Sequence, residues 1–469
     1  MLTAVAEDFE RPLCPSAHRR RCHNVTTRGV KASHAASYLG EKRQLVILVS
    51  FRNKSFKDAQ PLILWDRIFN EEFFREAPFY GSVHDYFYDQ SYGKFSLQFD
   101  LYLVEAKNNS NYYGGQDAYG NDEKVGELVK ESVLNIADQI PDWSIYDWDD
   151  DGEVDQVLLL YAGKGQNDGG LSSTIWPHQW TLEEEGTGKF RVGSDMLVRY
   201  INGYGCFAEL DSKGTYGSFG TLCHEYSHCL GLPDFYYGGT KYVGSWDVMD
   251  YGLYNKNGFC PAGYSAHERM VLGWLAPSEL TAPISISEVY DLTDYSKAKA
   301  FLIRNDGYED EYYIVENRQK TGWDQALPGH GVVVFHVDYD EYVWKHDIPN
   351  TPTKKRYTII PANNTTSVSS SANWSYPYKT NDMLTNLSKP AATLYNRNSD
   401  GSNLMSKPVT QIKVTNGVAS FDFMGGSPTS LAATQALEDS YKVLYRIGSV
   451  LIIRDGKGFI RKVISHSGK

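Results

Sequence analysis

The sequence predicts an α+β chain, on three observations. Short apolar runs suited to buried strands alternate with helix-periodic stretches up to about residue 277. Over residues 278–424 alternating apolar runs are broken by turn residues, which predicts a β-rich, sandwich-like domain. Residues 425–440 have linker composition, and residues 441–469 read as a short C-terminal β tail, a few strands with an Asp-Gly turn at Asp455 that suit a docking or sorting module.

Taken in order, residues 1–42 carry scattered His, Arg and Ser and read as a leader or pro-segment remnant. The first domain spans residues 43–277. It opens with "RQLVILVSF" (Arg43 to Phe51), a buried strand. "LILWDRIFNEEFF" (Leu62 to Phe74) has helical spacing. "GSVHDYFYDQSYGKFSLQFDLYLVE" (Gly81 to Glu105) reads as helix, glycine turn and strand. "KVGELVKESVLNIADQI" (Lys124 to Ile140) is an amphipathic helix stopped by Pro141. "VDQVLLLYAG" (Val154 to Gly163) is a second buried strand, and a helix follows from Phe219 to Leu230. In the β-rich region, "EYYIVENRQ" (Glu311 to Gln319) and "GHGVVVFHVDY" (Gly329 to Tyr339) read as strands.

The totals set limits on function. At 469 residues the chain is too long for one ordinary core. Its formal charge is −12 and its one basic run, Arg19 to Arg21, is terminal, so nucleic acid is not an expected partner. No apolar run approaches the roughly 20 residues a transmembrane helix needs, and no signal peptide is visible at the start. Six cysteines in so long a chain do not make a disulfide framework, so buried free thiols are expected. The sequence leaves oligomeric state open.

The chemistry concentrates in "HEYSHCLGLPD" (His224 to Asp234). On a helix, His224 and His228 lie one turn apart on one face and can bind one zinc ion. Glu225 points roughly 100° away, where it can take a proton from a zinc-activated water without ligating the metal. A catalytic site needs a third ligand and an open position. Gly231 allows the chain to leave the helix through a left-handed conformation, Pro233 stiffens the return, and Asp234 is brought back as that ligand. Glu268 in "SAHER" is the rival third ligand.

With Met249 fifteen residues past Asp234, in "SWDVMDYG", the pattern resembles the metzincin class of zinc peptidases. That resemblance implies a methionine turn beneath the metal and an approach of Tyr251 to it, to stabilise the reacting carbonyl. Aspartate as third ligand departs from the more usual histidine. Further stretches narrow the match: "GSVHDYFYDQSYGKF", "YDWDDDGEVDQVLLLYAG", "IWPHQW", "SAHERMVLGWL", "YYIVENRQ" and "LPGHGVVVFHVDY". Together, from about Arg43 to Tyr339, they resemble the immune inhibitor A family of secreted bacterial zinc peptidases, in a Bacteroides-type form. The resemblance implies an endopeptidase acting on proteins or peptides, made as a precursor and secreted or held at the cell surface. Cys14 is a candidate latency thiol on the zinc, with nothing around "PLCPS" pointing to it. The alternative from another class is a secreted adhesion or glycoprotein-binding protein whose metal site is structural.

A second metal is expected at "DWDDDGEVD". Asp147, Asp149, Asp151 and Asp155, with the Glu153 carbonyl, have the spacing of a calcium loop, and Gly152 allows its sharp turn. The glutamate usual at the twelfth position is replaced by Leu158. So many carboxylates repel one another without a cation.

Overall fold

A computed structural model describes residues 38–117, 121–194 and 197–426, together with the strands Tyr441–Ile447, Val450–Asp455 and Ile460–Ile464. Cys14, the basic run, nearly all of the 1–42 and 425–440 segments and the turn after Asp455 lie outside the described residues.

Five strands form the central sheet: β1 (Gly40–Ser50), β2 (Phe95–Glu105), β3 (Val157–Lys164), β4 (His178–Thr181) and β5 (Gly203–Leu210), in the order β2-β1-β3-β5-β4. All neighbours are parallel except the edge strand β4, which runs antiparallel to β5. Because side chains alternate across a strand, the two faces of this sheet feed two cores. Val46, Leu48, Leu158, Leu160 and Phe207 enter one, and Leu45, Ile47, Leu159, Tyr161 and Cys206 enter the other. Burial on both faces is why β1 reads as an unbroken apolar run rather than an alternating one.

Helices cover both faces. The second core holds the apolar stripe Val125, Leu128, Val129, Val133 and Ile136 of the helix Val125–Ile136. The first holds Trp65, Ile68 and Phe69 of Pro61–Asn70, Tyr86 and Phe87 of Val83–Gln90, and Phe219, Leu222, Cys223 and Tyr226 of the histidine helix Phe219–Cys229. Ser82 and Asp85 close a capping box on Val83–Gln90.

Two expected elements differ. The Leu62 helix ends at Asn70, short of Phe74, and Phe73 has a φ of +57° that no helix continues through. The apolar run from Val154 is two strands. Glu153–Val154 pairs with Arg199–Ile201 in a small separate sheet, and β3 begins only at Val157. Between them, Asp155 turns aside: its N–H donates to Tyr146 O and its carboxylate accepts from Trp148 N.

A second five-stranded sheet follows: β6 (Ser278–Glu279), β7 (Ala300–Asn305), β8 (Tyr308–Arg318), β9 (Gly331–Asp338) and β10 (Tyr357–Ile359), in the order β10-β9-β8-β7-β6. One face (Leu302, Ile314, Val333, Phe335, Tyr357) packs in the same core as the histidine helix. The other (Phe301, Ile303, Val315, Val332, Val334) shares a third core with strands Ile284–Val289, Val409–Thr415 and Val418–Phe423. Arg318, at the end of β8, is fully buried. It forks onto both Asp324 oxygens at 2.6 and 2.8 Å, reaches Glu316 at 3.1 Å and donates to Gly263 O at 3.0 Å. Cys206, Cys223 and Cys260 are buried free thiols, and Cys229 is a half-buried one.

Candidate metal centre

The histidine helix is buried from Phe219 to His228. It ends where Leu230 N–H caps back onto the last turn and Gly231, at φ +87°, redirects the chain. Gly231 N–H donates to His228 O and Leu232 N–H to Ser227 O, which folds the following residues back over the helix end.

This return brings Asp234 to the histidines. Its Oδ1 lies 3.2 Å from His224 Nε2 and 3.3 Å from His228 Nε2. Each imidazole is fixed through its other nitrogen: His224 Nδ1 meets Val248 O at 2.8 Å, and His228 Nδ1 meets Leu232 O at 2.7 Å. A carbonyl only accepts, so both Nδ1 atoms carry protons and both Nε2 atoms present lone pairs. Three acceptors therefore converge in a buried space, and Asp234 Oδ1 has no hydrogen-bond donor. An Nε2 could donate to it only from an imidazolium. Burial opposes charge on Asp234, but His228 and His224 outweigh it and hold its carboxyl well below the usual carboxylate range. Two imidazoles, neutral once Nε2 binds a cation in place of a proton, and a carboxylate within 4.8 Å are a donor set that fits a divalent cation such as zinc.

The surrounding turn holds this geometry. Val248 supplies the carbonyl for His224, and the buried Met249 supplies one for Phe235 N–H at 2.8 Å. Glu225 is buried on the same helix; burial lowers the His224 pKa, but Asp234, with a smaller contribution from Glu225, raises it above its usual value. Tyr251 is half-buried two residues beyond Met249. Lys241 Nζ sits 3.4 Å from its ring centre, and Tyr254 packs against it. Glu268 does not join the group. It is committed to a capping box with Ser265 at the start of helix Ala266–Val271, where Ser265 N–H donates to its Oε2 at 2.6 Å.

At the acidic loop the structure brings together one oxygen each from Asp147, Asp149 and Asp151. Asp147 folds the loop by accepting from Asp151 N at 3.1 Å and Gly152 N at 3.0 Å, and Gly152 takes a φ of +93°. Arg199 Nε also lies 2.6 Å from Asp147 Oδ2, though without an aligned hydrogen bond. The Glu153 side chain pairs with Lys189, and Asp155 caps Trp148. Burial pushes the Asp155 carboxyl up to about 7; the Trp148 N–H opposes the shift and the neighbouring carboxylates add to it.

Several residues at the centre have no local sequence signal. Tyr236 stacks at 27° over His224 with ring centres 6.2 Å apart. Asp347 and Asn350 reach the Asp234 turn from more than a hundred residues downstream.

A buried histidine pair on a helix, joined by a carboxylate from the returning chain, is the arrangement a metallopeptidase centre would require. Residues 41–272 match the family described as immune inhibitor A peptidase M6, catalytic domain. Among curated relatives, Immune inhibitor A of Bacillus thuringiensis subsp. alesti is 27% identical over 264 residues, covering 46% of this chain and 38% of that protein. Pre-pro-metalloprotease PrtV of Vibrio cholerae serotype O1 is 25% identical over 259 residues, covering 46% of this chain and 27% of that protein. The chain thus spans well under half the length of these relatives. Among the described residues no helix is long and apolar enough to cross a membrane.

Proposed function

We propose that the protein is a zinc-dependent endopeptidase that acts on proteins or peptides outside the cytoplasm. The observation that carries this reading is the convergence of His224 Nε2, His228 Nε2 and Asp234 Oδ1 with both Nδ1 protons already engaged. Zinc held there would supply Lewis acidity for water activation and carbonyl polarisation. Glu225 takes the proton of the attacking water and passes it to the leaving amine. Tyr251 donates a hydrogen bond to the developing oxyanion. The burial of Glu225 beside the histidines supports its role, since a structural metal site has no use for a base there.

The acidic loop is a calcium site in this reading, built on Asp147, Asp149 and Asp151 and structural in role. Its support is the convergence of three carboxylate oxygens on a loop already folded by Asp147.

The test is casein cleavage by the zinc-loaded protein with and without a chelator. Glu225→Ala is expected to retain stoichiometric zinc and lose turnover by at least about 10²-fold. Zinc-loaded protein that cleaves no peptide under any activation regime would favour the adhesion alternative, and retained turnover in Glu225→Ala would remove that residue from its role.

A further inference from the structure

The three converging groups are not equally anchored. His224 and His228 stand on a buried helix with both rings locked, whereas Asp234 stands on an irregular turn. A ligand on irregular backbone needs its position fixed by its neighbours, or ordering it costs free energy at each binding event.

Met249 O holds Phe235 N–H from within residues 41–272, but the hold on Asp234 itself comes from outside them. The Asp234 N–H donates to Asp347 Oδ1 at 2.5 Å, across 113 positions of sequence. One residue on, Phe235 O accepts from Asn350 Nδ2 at 2.8 Å. Asn350 is in turn pinned to β10, donating to Tyr357 O at 2.8 Å and accepting from Tyr357 N at 3.0 Å. The Phe235 ring stacks on Tyr357 with centres 3.7 Å apart at 19°. Asp347 and Asn350 are both buried, and Asp347 adopts a φ of +57°, which few residues tolerate. Asp347 is not itself one of the converging metal-binding groups, so its carboxylate acts through the Asp234 backbone.

We propose that Asp347, supported by Asn350 and the Tyr357 ring, is a positioning residue for the third metal ligand. The second sheet thereby holds the Asp234 turn at the metal centre. This rests on the reading of His224, His228 and Asp234 as a metal site. A carboxylate accepting from one backbone N–H gives a short, directional hold. The Asn350 amide on Phe235 O and the Tyr357 ring on the Phe235 ring add two further restraints on the turn.

The test uses the full chain and zinc itself. Asp347→Gly removes the acceptor without straining the positive φ, and Asp347→Asn keeps an amide oxygen acceptor and tolerates that φ. Zinc affinity is measured by competition with a chromophoric chelator, and ligand geometry by the visible spectrum of cobalt-substituted protein. Asp347→Gly is expected to bind zinc about 10–100-fold more weakly and to change the cobalt spectrum, as loss of a ligand-orienting partner does. Asp347→Asn is expected to stay near wild type in both. The proposal is overturned if Asp347→Gly keeps wild-type zinc affinity and spectrum while Asp234→Ala loses zinc. It is also overturned if Asp347→Asn is as weak as Asp347→Gly, because the hydrogen bond would not then be the cause. If Asp234→Ala and His224→Ala both leave zinc affinity unchanged, the metal-site reading fails along with it.

Discussion

Gly220 lies one turn before His224, and its replacement by alanine tests how the histidine helix is seated. In an ordinary helix interior this change stabilises by about 1 kcal/mol, because glycine is the poorer helix former. Here a Cβ at position 220 would meet Leu253 O at 1.9 Å and Gly258 O at 3.0 Å, both backbone atoms of the segment that follows the methionine turn. No rotamer change relieves a backbone clash, so helix and turn must separate by about 1 Å. The methionine turn, immediately before that segment, supplies Val248 O to His224 Nδ1 at 2.8 Å. An equal displacement there stretches that contact to about 3.8 Å, beyond hydrogen-bond range. Overpacking costs of about 1–3 kcal/mol oppose the propensity gain, so the expected net effect is destabilisation by up to about 2 kcal/mol. At a few degrees per kcal/mol, the metal-free melting temperature falls by about 2–8 °C. With His224 unlocked, zinc affinity is expected to fall about tenfold or more. Calorimetry of the metal-free protein and chelator competition measure the two effects separately. A Gly220→Ala variant that melts at or above wild type with unchanged zinc affinity would refute the packing argument.

Two further outcomes follow from the described residues. His267 is fully buried, its Nδ1 faces Tyr312 OH at 3.2 Å, and burial lowers its pKa to about 3. Its folded pKa lies below the unfolded value, so the unfolded chain binds the proton first. Stability is therefore full above about pH 6.5 and is lost as pH falls toward 3. Urea unfolding at pH 4 and pH 7 should show a smaller acid loss in His267→Phe, and an equal loss would point to other groups. For the acidic loop, calcium at 100 times its dissociation constant should stabilise the wild type by about 2.7 kcal/mol. Asp149→Ala combined with Asp151→Ala should abolish that gain and leave calcium-free melting little changed. An equal fall in calcium-free buffer would count against a bound ion.

What the sequence made legible was local. Two histidines four apart report one helix face, a following glycine reports a left-handed exit, and an acid three residues later reports the return; the observed φ of +87° at Gly231 supplies the needed backbone. The choice between Asp234 and Glu268 could not be made the same way. It depends on where helix Ala266–Val271 starts, and there Ser265 draws Glu268 into a cap. The break at Asp155 was hidden for a related reason. "VDQVLLLYAG" is apolar enough for one strand, but Asp155 is drawn to Trp148 N, and the residues on either side join different sheets. Asp347 in "KHDIPN" carries no motif, and its partner is 113 residues away.

Sequence texture reports the spacing of strands, whereas a core depends on which face each strand buries. The texture changes at about residue 277, yet Leu302, Ile314, Val333, Phe335 and Tyr357 bury against the same cluster as Leu222, Cys223 and Tyr226. The histidine helix thus shares one core with residues of both the central and the second sheet. Arg318 adds a polar tie from β8 to Gly263 and Asp324, and Glu316 accepts from Ala266 N at 2.6 Å. Tyr357 OH reaches Ser265 Oγ at 2.7 Å and Asp247 Oδ2 at 3.1 Å, while Asp247 Oδ1 accepts from Met249 N. One residue of the second sheet therefore touches the Asp234 turn through its ring and the methionine turn through its hydroxyl. A shift of β10 would move both backbone supports of the candidate metal centre together, which makes the second sheet part of the site's rigidity rather than an appendage to it.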